Sequence, residues 1–151
     1  MLSDDRVWKA MEFKKVLVPV IGTEADDEAI RLACRLAKKD KGKIWAVYVV
    51  TVKRALPLDA EIKPEIVKAE EILDHVQSIA EEQDFEIETD LLQAREAGPT
   101  IIEEAVGREV DLILVGVEYK RRFGQFSLGS VVPYLLKNAP CRVILYHQYT
   151  V

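Results

Sequence analysis

Lys15-Val16-Leu17-Val18-Pro19-Val20 is the stretch on which the fold turns. After the leading lysine the run is apolar without alternation, the pattern of a strand covered on both faces rather than one with a wet side. Pro19 is expected near its end, where a missing N–H costs the ladder least. Just beyond, Ala29, Leu32, Ala33, Leu36 and Ala37 recur at i, i+3, i+4, i+7 and i+8, which puts an apolar stripe on a helix from about Glu24 to Lys39. Thr23, with Asp26 three residues later, is its expected N-cap. Gly42 closes a turn, and Ile44 to Val50 supplies a second continuous run rich in β-branched and aromatic residues. Buried strand, amphipathic helix and buried strand in that order make a crossover unit of parallel strands.

The alternation continues to the C-terminus. Thr51 to Lys63 lacks periodicity, contains Pro57 and reads as a surface excursion, and Pro64 suits the first turn of the helix that follows. Ile66, Ala69, Ile72, Leu73, Val76, Ile79 and Ala80 give that helix a stripe as far as about Gln83. Phe85 to Leu92 alternates Ile87, Thr89 and Leu91 against Glu86, Glu88 and Asp90, which predicts a strand with one wet face at the sheet edge. Gly98-Pro99-Thr100 is expected to break the chain, with Thr100 and Glu103 as the capping box of a short helix that stops at Gly107. Leu112 to Val115 is a further buried strand ending at Gly116, a last helix spans about Ser130 to Lys137, and Arg142 to Tyr146 forms a fifth strand. Right-handed crossovers then imply an α/β, three-layer, doubly wound sheet: five parallel strands in order 3-2-1-4-5 with four helices. Ligands of such sheets bind beyond the carboxyl ends at the switch point, here Pro19 to Thr23 and Gly116 to Ser130.

Composition removes several function classes. A chain of 151 residues, 49% apolar, is the size of one domain with a core for a small sheet. The formal charge of -5 offers no broad positive surface to a nucleic acid or an anionic membrane. Cys34 and Cys141 are too few and too far apart for a disulfide framework or a metal knuckle, and read as inert core thiols. No stretch has the length of a membrane span and Met1 to Glu12 lacks a signal-peptide core, so the expected location is the cytoplasm. His75 and His147 have no Cys or carboxylate at ligand spacing and read as surface residues, so no metal site is expected. Asp26, Asp27 and Glu28 fit the first-turn dipole of a helix better than a magnesium site. Neither a P-loop nor a Gly-x-Gly-x-x-Gly follows any strand, the first strand lacks the acidic cluster of a receiver domain, and no general base can be named for an enzyme.

The candidate site is the Gly116 to Ser130 segment. Gly116 follows a buried strand and Gly129-Ser130 precedes a helix, so backbone can approach a ligand and free N–H groups can meet an anion. Lys120, Arg121 and Arg122 lie between them as cations for a polyphosphate, or as a solvated basic loop. From about Phe13 to Tyr146, including the closing Ala139-Pro140-Cys141-Arg142-Val143-Ile144-Leu145, the chain resembles the universal stress protein family. That family's nucleotide pattern is Gly-x2-Gly-x9-Gly-Ser. Gly116 matches the first glycine, Lys120 to Leu128 the spacer and Gly129-Ser130 the closing pair, while Tyr119 stands at the second glycine. The family's first strand ends Val-Asp-Gly-Ser, its Asp reaching adenine, whereas this chain reads Val20-Ile21-Gly22-Thr23.

The resemblance implies an adenine nucleotide alpha hydrolase-like fold and a regulatory module that binds ATP or AMP, with Mg²⁺ accompanying ATP and at most slow ATP hydrolysis. It implies contacts from Pro19, Val20, Ile21, Gly22, Thr23, Val49, Gly116, Tyr119, Arg121, Arg122, Gly129, Ser130 and Val131, with the Val49 backbone beside adenine. It also implies a homodimer through antiparallel pairing of the last strands at Val143, Ile144, Leu145 and Tyr146, an apolar edge that needs cover. The alternative is a dimeric stress-response interaction protein that binds no nucleotide. Residues 1–12 form an extension before a domain at 13–151; its Val7, Trp8, Ala10 and Met11 either dock on the partner or the sheet edge or trail free.

Overall fold

The structure, a computed structural model, describes residues 12–118 and 130–147. Strands and helices alternate as β1 (Lys15–Pro19), α1 (Glu24–Lys39), β2 (Lys43–Thr51), α2 (Lys63–Glu82), β3 (Glu88–Ala94), α3 (Ala97–Gly107), β4 (Leu112–Val117), α4 (Val131–Asn138) and β5 (Arg142–His147). All five strands join one parallel sheet in the order β3-β2-β1-β4-β5.

The continuous apolar runs are explained by the two faces. Val16, Val18 and Val20 of β1 and its exit point with Ile44, Ala46, Leu112 and Leu114 toward a core shared with α1 and α2. Leu17 joins Trp45, Val47, Ile113 and Val115 toward α3 and α4. Register pairs Val16 with Ile44 on one side and Leu112 on the other, so each face is built of matched apolar rows. No helix among the described residues is long and apolar enough to cross a membrane.

Several boundaries differ from the sequence expectation: β4 runs on to Val117, so Gly116 lies inside the strand, paired with Tyr146, rather than just after it, and β3 runs on to Ala94. The third strand begins at Glu88, not Phe85. Asp84 takes a positive φ of 55° and the Phe85 N–H returns to the Ala80 carbonyl at 3.1 Å, so the residues after α2 close that helix before the chain can pair. β3 pairs with β2 alone and is an edge strand, as its alternation predicts. The helix α3 begins at Ala97, so Gly98-Pro99-Thr100 is its first turn rather than a break. Pro99 is tolerated there because an N-terminal turn has no use for its N–H. Thr100 is not a cap: its Oγ1 donates to the Glu96 carbonyl at 2.9 Å, one turn back.

Side-chain bonds at the sheet's β3 edge were not legible in the sequence. Arg95 donates to the carbonyls of Lys53 and Leu56 at 2.6 and 2.8 Å, and Gln93 to those of Leu58 and Ala60 at 3.1 and 2.9 Å. The excursion between β2 and α2 is thereby fastened over the end of β3. At the opposite end Arg108 lies 5.1 Å over the Trp45 ring and pairs with Glu104 and Asp90, joining α3 to the sheet.

Candidate functional site

β1 and β4 are neighbours whose helices leave to opposite faces, and a cavity of about 310 Å³ opens beyond their carboxyl ends. Pro19, Val20 and Ile21 form one wall and Val115, Gly116 and Val117 another, with Val49 of β2 and Ser130 and Val131 at the start of α4. Ala97 and Ile101 of α3 close one side. Seven of the sequence candidates, Pro19, Val20, Ile21, Val49, Gly116, Ser130 and Val131, therefore share one cavity. Gly22 and Thr23 line a separate cleft of about 270 Å³ between α1 and α2, with Asp27, Glu71 and His75. Tyr119, Lys120, Arg121, Arg122 and Gly129 lie outside the described residues. The walls are largely aliphatic, a surface suited to the face of a flat ring with a few backbone groups at its edge.

Asp26 is the carboxylate among the described residues that line this cavity, and sequence reasoning treated it as a cap and first-turn residue of the helix rather than as part of the site. It is 2% exposed. Its Oδ2 accepts the N–H of Ile21 at 3.0 Å, of Gly22 at 2.6 Å and of Thr23 at 3.1 Å. Three consecutive N–H groups turned to one point form an anion-binding nest, and the chain fills it with its own carboxylate. Gly22 makes this possible by taking a φ of 98°, a conformation strained for any other residue. Burial pushes the Asp26 carboxyl above its ordinary range, against the opposing pull of the three backbone bonds and with a smaller push from Asp27. The Asp26-to-Thr23 half of the expected cap is present, while Thr23 Oγ1 is buried with no hydrogen-bond partner among the described residues.

Two other acidic residues of α1, Asp27 and Glu28, face partners on the helices. Asp27 Oδ2 lies 3.0 Å from His75 Nε2 of α2, so this histidine is a surface residue but one with a carboxylate beside it, brought from 48 positions away. Glu28 bonds Arg31 one turn on. Gly116 lines the cavity, yet its missing side chain is needed elsewhere: a Cβ there would lie 2.2 Å from the Ala25 carbonyl oxygen. The glycine lets the first turn of α1 sit on β4. Burial raises both cysteine thiols, that of Cys34 to about 11, which makes them poor nucleophiles.

As to the groups implied by resemblance, the aliphatic walls fit a nucleobase. They do not supply ligands for Mg²⁺, because the one carboxylate among the described lining residues is committed to backbone N–H groups.

A family model described as the universal stress protein family matches residues 12–147. The chain belongs to the universal stress protein family. Among curated relatives, Universal stress protein MJ0531 of Methanocaldococcus jannaschii is 32% identical over 139 residues, 88% of this chain and 81% of that protein. Solved universal stress proteins share the fold. That of Archaeoglobus fulgidus in complex with dAMP matches with a TM-score of 0.69 and 21% identity over 89% of this chain and 98% of that one. A universal stress protein family member from Arabidopsis thaliana with AMP bound matches with a TM-score of 0.67 and 18% identity over 91% and 93%. At the strand end, where the resemblance led to an expected Asp, this chain has Ile21, 65% exposed.

Proposed function

We propose that this universal stress protein is a regulatory module that holds an adenine nucleotide, ATP or AMP, at the carboxyl ends of β1 and β4. The observation that carries the reading is the aliphatic cavity at the switch point, in which Pro19, Val20, Ile21, Val49, Gly116, Ser130 and Val131 converge. The fold-sharing proteins solved with dAMP and with AMP support it. In this reading the base lies between the Val49 backbone and Ile21, and the phosphates meet the N-terminus of α4 with Arg121 and Arg122 as counter-charges. The ligand then touches both β1 and the start of α4, so its binding favours one arrangement of the intervening 117–130 segment over others. Signalling through that surface requires no turnover.

A second reading, a dimeric interaction protein without nucleotide, draws on Asp26. Its carboxyl group already occupies the loop N–H groups that would otherwise greet an anion, and it stands buried beside the cavity. In either reading we propose a homodimer formed along β5 and a cytoplasmic location.

Mass spectrometry of small molecules released on denaturing the purified protein decides between them. Adenine nucleotide in stoichiometric amount is expected. The paired change Arg121→Ala with Arg122→Ala is then expected to weaken affinity by more than about tenfold in calorimetry, since charge-assisted phosphate contacts are each worth roughly 1.5 to 3 kcal/mol. A protein that is empty and gives no heat with added ATP or AMP overturns the nucleotide reading and leaves the second.

A further inference from the structure

The two faces of the sheet are not equally covered. On one of them two helices must shield five strands: α1 lies over β1 and β4, and α2 over β2 and β3. β5 receives only the flank of α1. Leu112 and Leu114 of β4 are accordingly fully buried, while Ile144, paired in register with Leu114, is half-buried on the same face. Between the outer flank of α1 and β5 runs a groove of about 710 Å³. Its apolar surfaces come from Phe13, Leu36 and Ile144, and Arg35, Lys39, Asp40 and Arg142 stand along it.

The chain enters the sheet at one end of this groove. The Phe13 N–H donates to Asp40 Oδ2 at 3.0 Å, which fixes Phe13 against the C-terminal end of α1 beside Arg142. Residues 1–11 therefore continue from the mouth of the groove. They carry Leu2, Val7, Trp8 and Met11, a larger apolar share than a solvated tail needs, while Asp4 and Asp5 are balanced by Arg6 and Lys9, so the match to the groove is apolar rather than one of net charge. On a helix Trp8 and Met11 would share a face, with Val7 beside it. Eleven residues span about 16 Å as a helix and up to roughly 36 Å extended, against about 20 Å for the six residues of β5.

We propose that Met1–Met11 docks on its own chain in this groove and completes the cover of β5 on the α1 face, with Trp8 against Leu36 and Ile144. A tethered segment has an effective concentration in the millimolar range toward a groove at its own root, an advantage no second molecule shares at ordinary protein concentrations. The docked segment covers a face of β5 and leaves its backbone edge available for pairing.

Tryptophan fluorescence of the full chain reads this directly, because Trp8 and the buried Trp45 are its two tryptophans. The difference between the intact protein and Trp8→Phe isolates Trp8. Relative to a synthetic peptide of residues 1–12, its emission is expected to shift to shorter wavelength and to lose most of its quenching by iodide. Placing a charge on the apolar wall of the groove with Leu36→Glu is expected to return Trp8 to the peptide's behaviour, and the shape-preserving Leu36→Met to leave it protected. Emission and quenching in the unaltered protein equal to those of the peptide overturn the proposal, whatever the variants do. Protection that disappears on dilution, as the measured mass halves, assigns the segment to a partner's groove and overturns docking within one chain.

Discussion

At position 26 a carboxylate has been taken out of water and given three backbone N–H groups in exchange. Burial favours the protonated form and the N–H bonds favour the ionised one, and burial is the larger influence. The sign of the consequence follows from linkage. The folded state holds the Asp26 proton more tightly than the unfolded chain, whose carboxyl titrates near 3.8, so Asp26's contribution is fully present below that value. It is lost as pH rises through the elevated folded value. Asp26→Asn removes the titration but keeps an oxygen toward the loop, so it should carry a roughly constant offset of about 1 to 3 kcal/mol for the contacts an amide cannot make. Urea unfolding of both proteins in steps from pH 3.5 to 7 should show the wild type losing ground to Asp26→Asn as pH increases. A gap that stays flat, or widens in the wild type's favour, would mean that the N–H bonds outweigh burial. How far this residue was legible is instructive. Thr-x-x-Asp at a helix start announces a bond from Asp26 to the Thr23 backbone. The extension to Ile21 and Gly22 depends on the positive φ of Gly22, and local sequence does not encode that the loop folds inward rather than outward. Gly116 presents the same ambiguity, since a glycine where backbone is closely approached reads alike whether the approaching group is a phosphate or the Ala25 carbonyl.

Elements with an unbroken period were readable almost to the residue, and those bounded by punctuation were not. The helix expected over Glu24 to Lys39 has those bounds, because its stripe runs uninterrupted from Thr23 to Gly42. The start of α3 was misplaced because Gly98 and Pro99 carry two meanings. Glycine and proline together usually stop a chain, but proline is also at home in a first helical turn, and Gly98 is small because Tyr134 of α4 would lie 2.9 Å from a Cβ there. The switch-point half of the site was legible from topology alone, which is why seven candidates converge on one cavity. The division of Gly22 and Thr23 into a different cleft was not, because it follows the turn of the chain at Gly22, whose positive φ sends the next residues toward α1 and α2. The corrected α3 start has a measurable consequence. Were Thr100 an N-cap, Thr100→Ala would cost about 1 kcal/mol. As a residue inside the first turn, bonding back to Glu96, it should cost no more than about 0.5 kcal/mol in chemical denaturation, with alanine's higher helix propensity offsetting the lost bond. A loss near 1 kcal/mol or above would restore Thr100 as the effective cap.

For the molecule as a whole, the unsettled surface is β5. It ends the sheet, its backbone edge has no partner strand among the described residues, and its side chains alternate between the two cores: Val143 and Leu145 toward α3 and α4, Ile144 and Tyr146 toward α1. An apolar edge of this kind invites strand addition unless it is paired. The proposed homodimer pairs it, and the proposed docking of Met1–Met11 covers one of its faces, so the two make separable demands on the same strand. A lysine in an antiparallel seam puts a charge among apolar side chains on whichever face it lies. Both Ile144→Lys and Leu145→Lys should therefore reduce the mass in light scattering from twice that of the chain to once, with circular dichroism confirming that the sheet persists. Only Ile144→Lys should also expose Trp8, because Leu145 points away from the groove. A doubled mass that survives both changes places the dimer elsewhere, and a wild-type protein already monomeric at high concentration removes it. If Leu145→Lys exposes Trp8 as fully as Ile144→Lys does, the segment depends on the dimer rather than on the groove of its own chain.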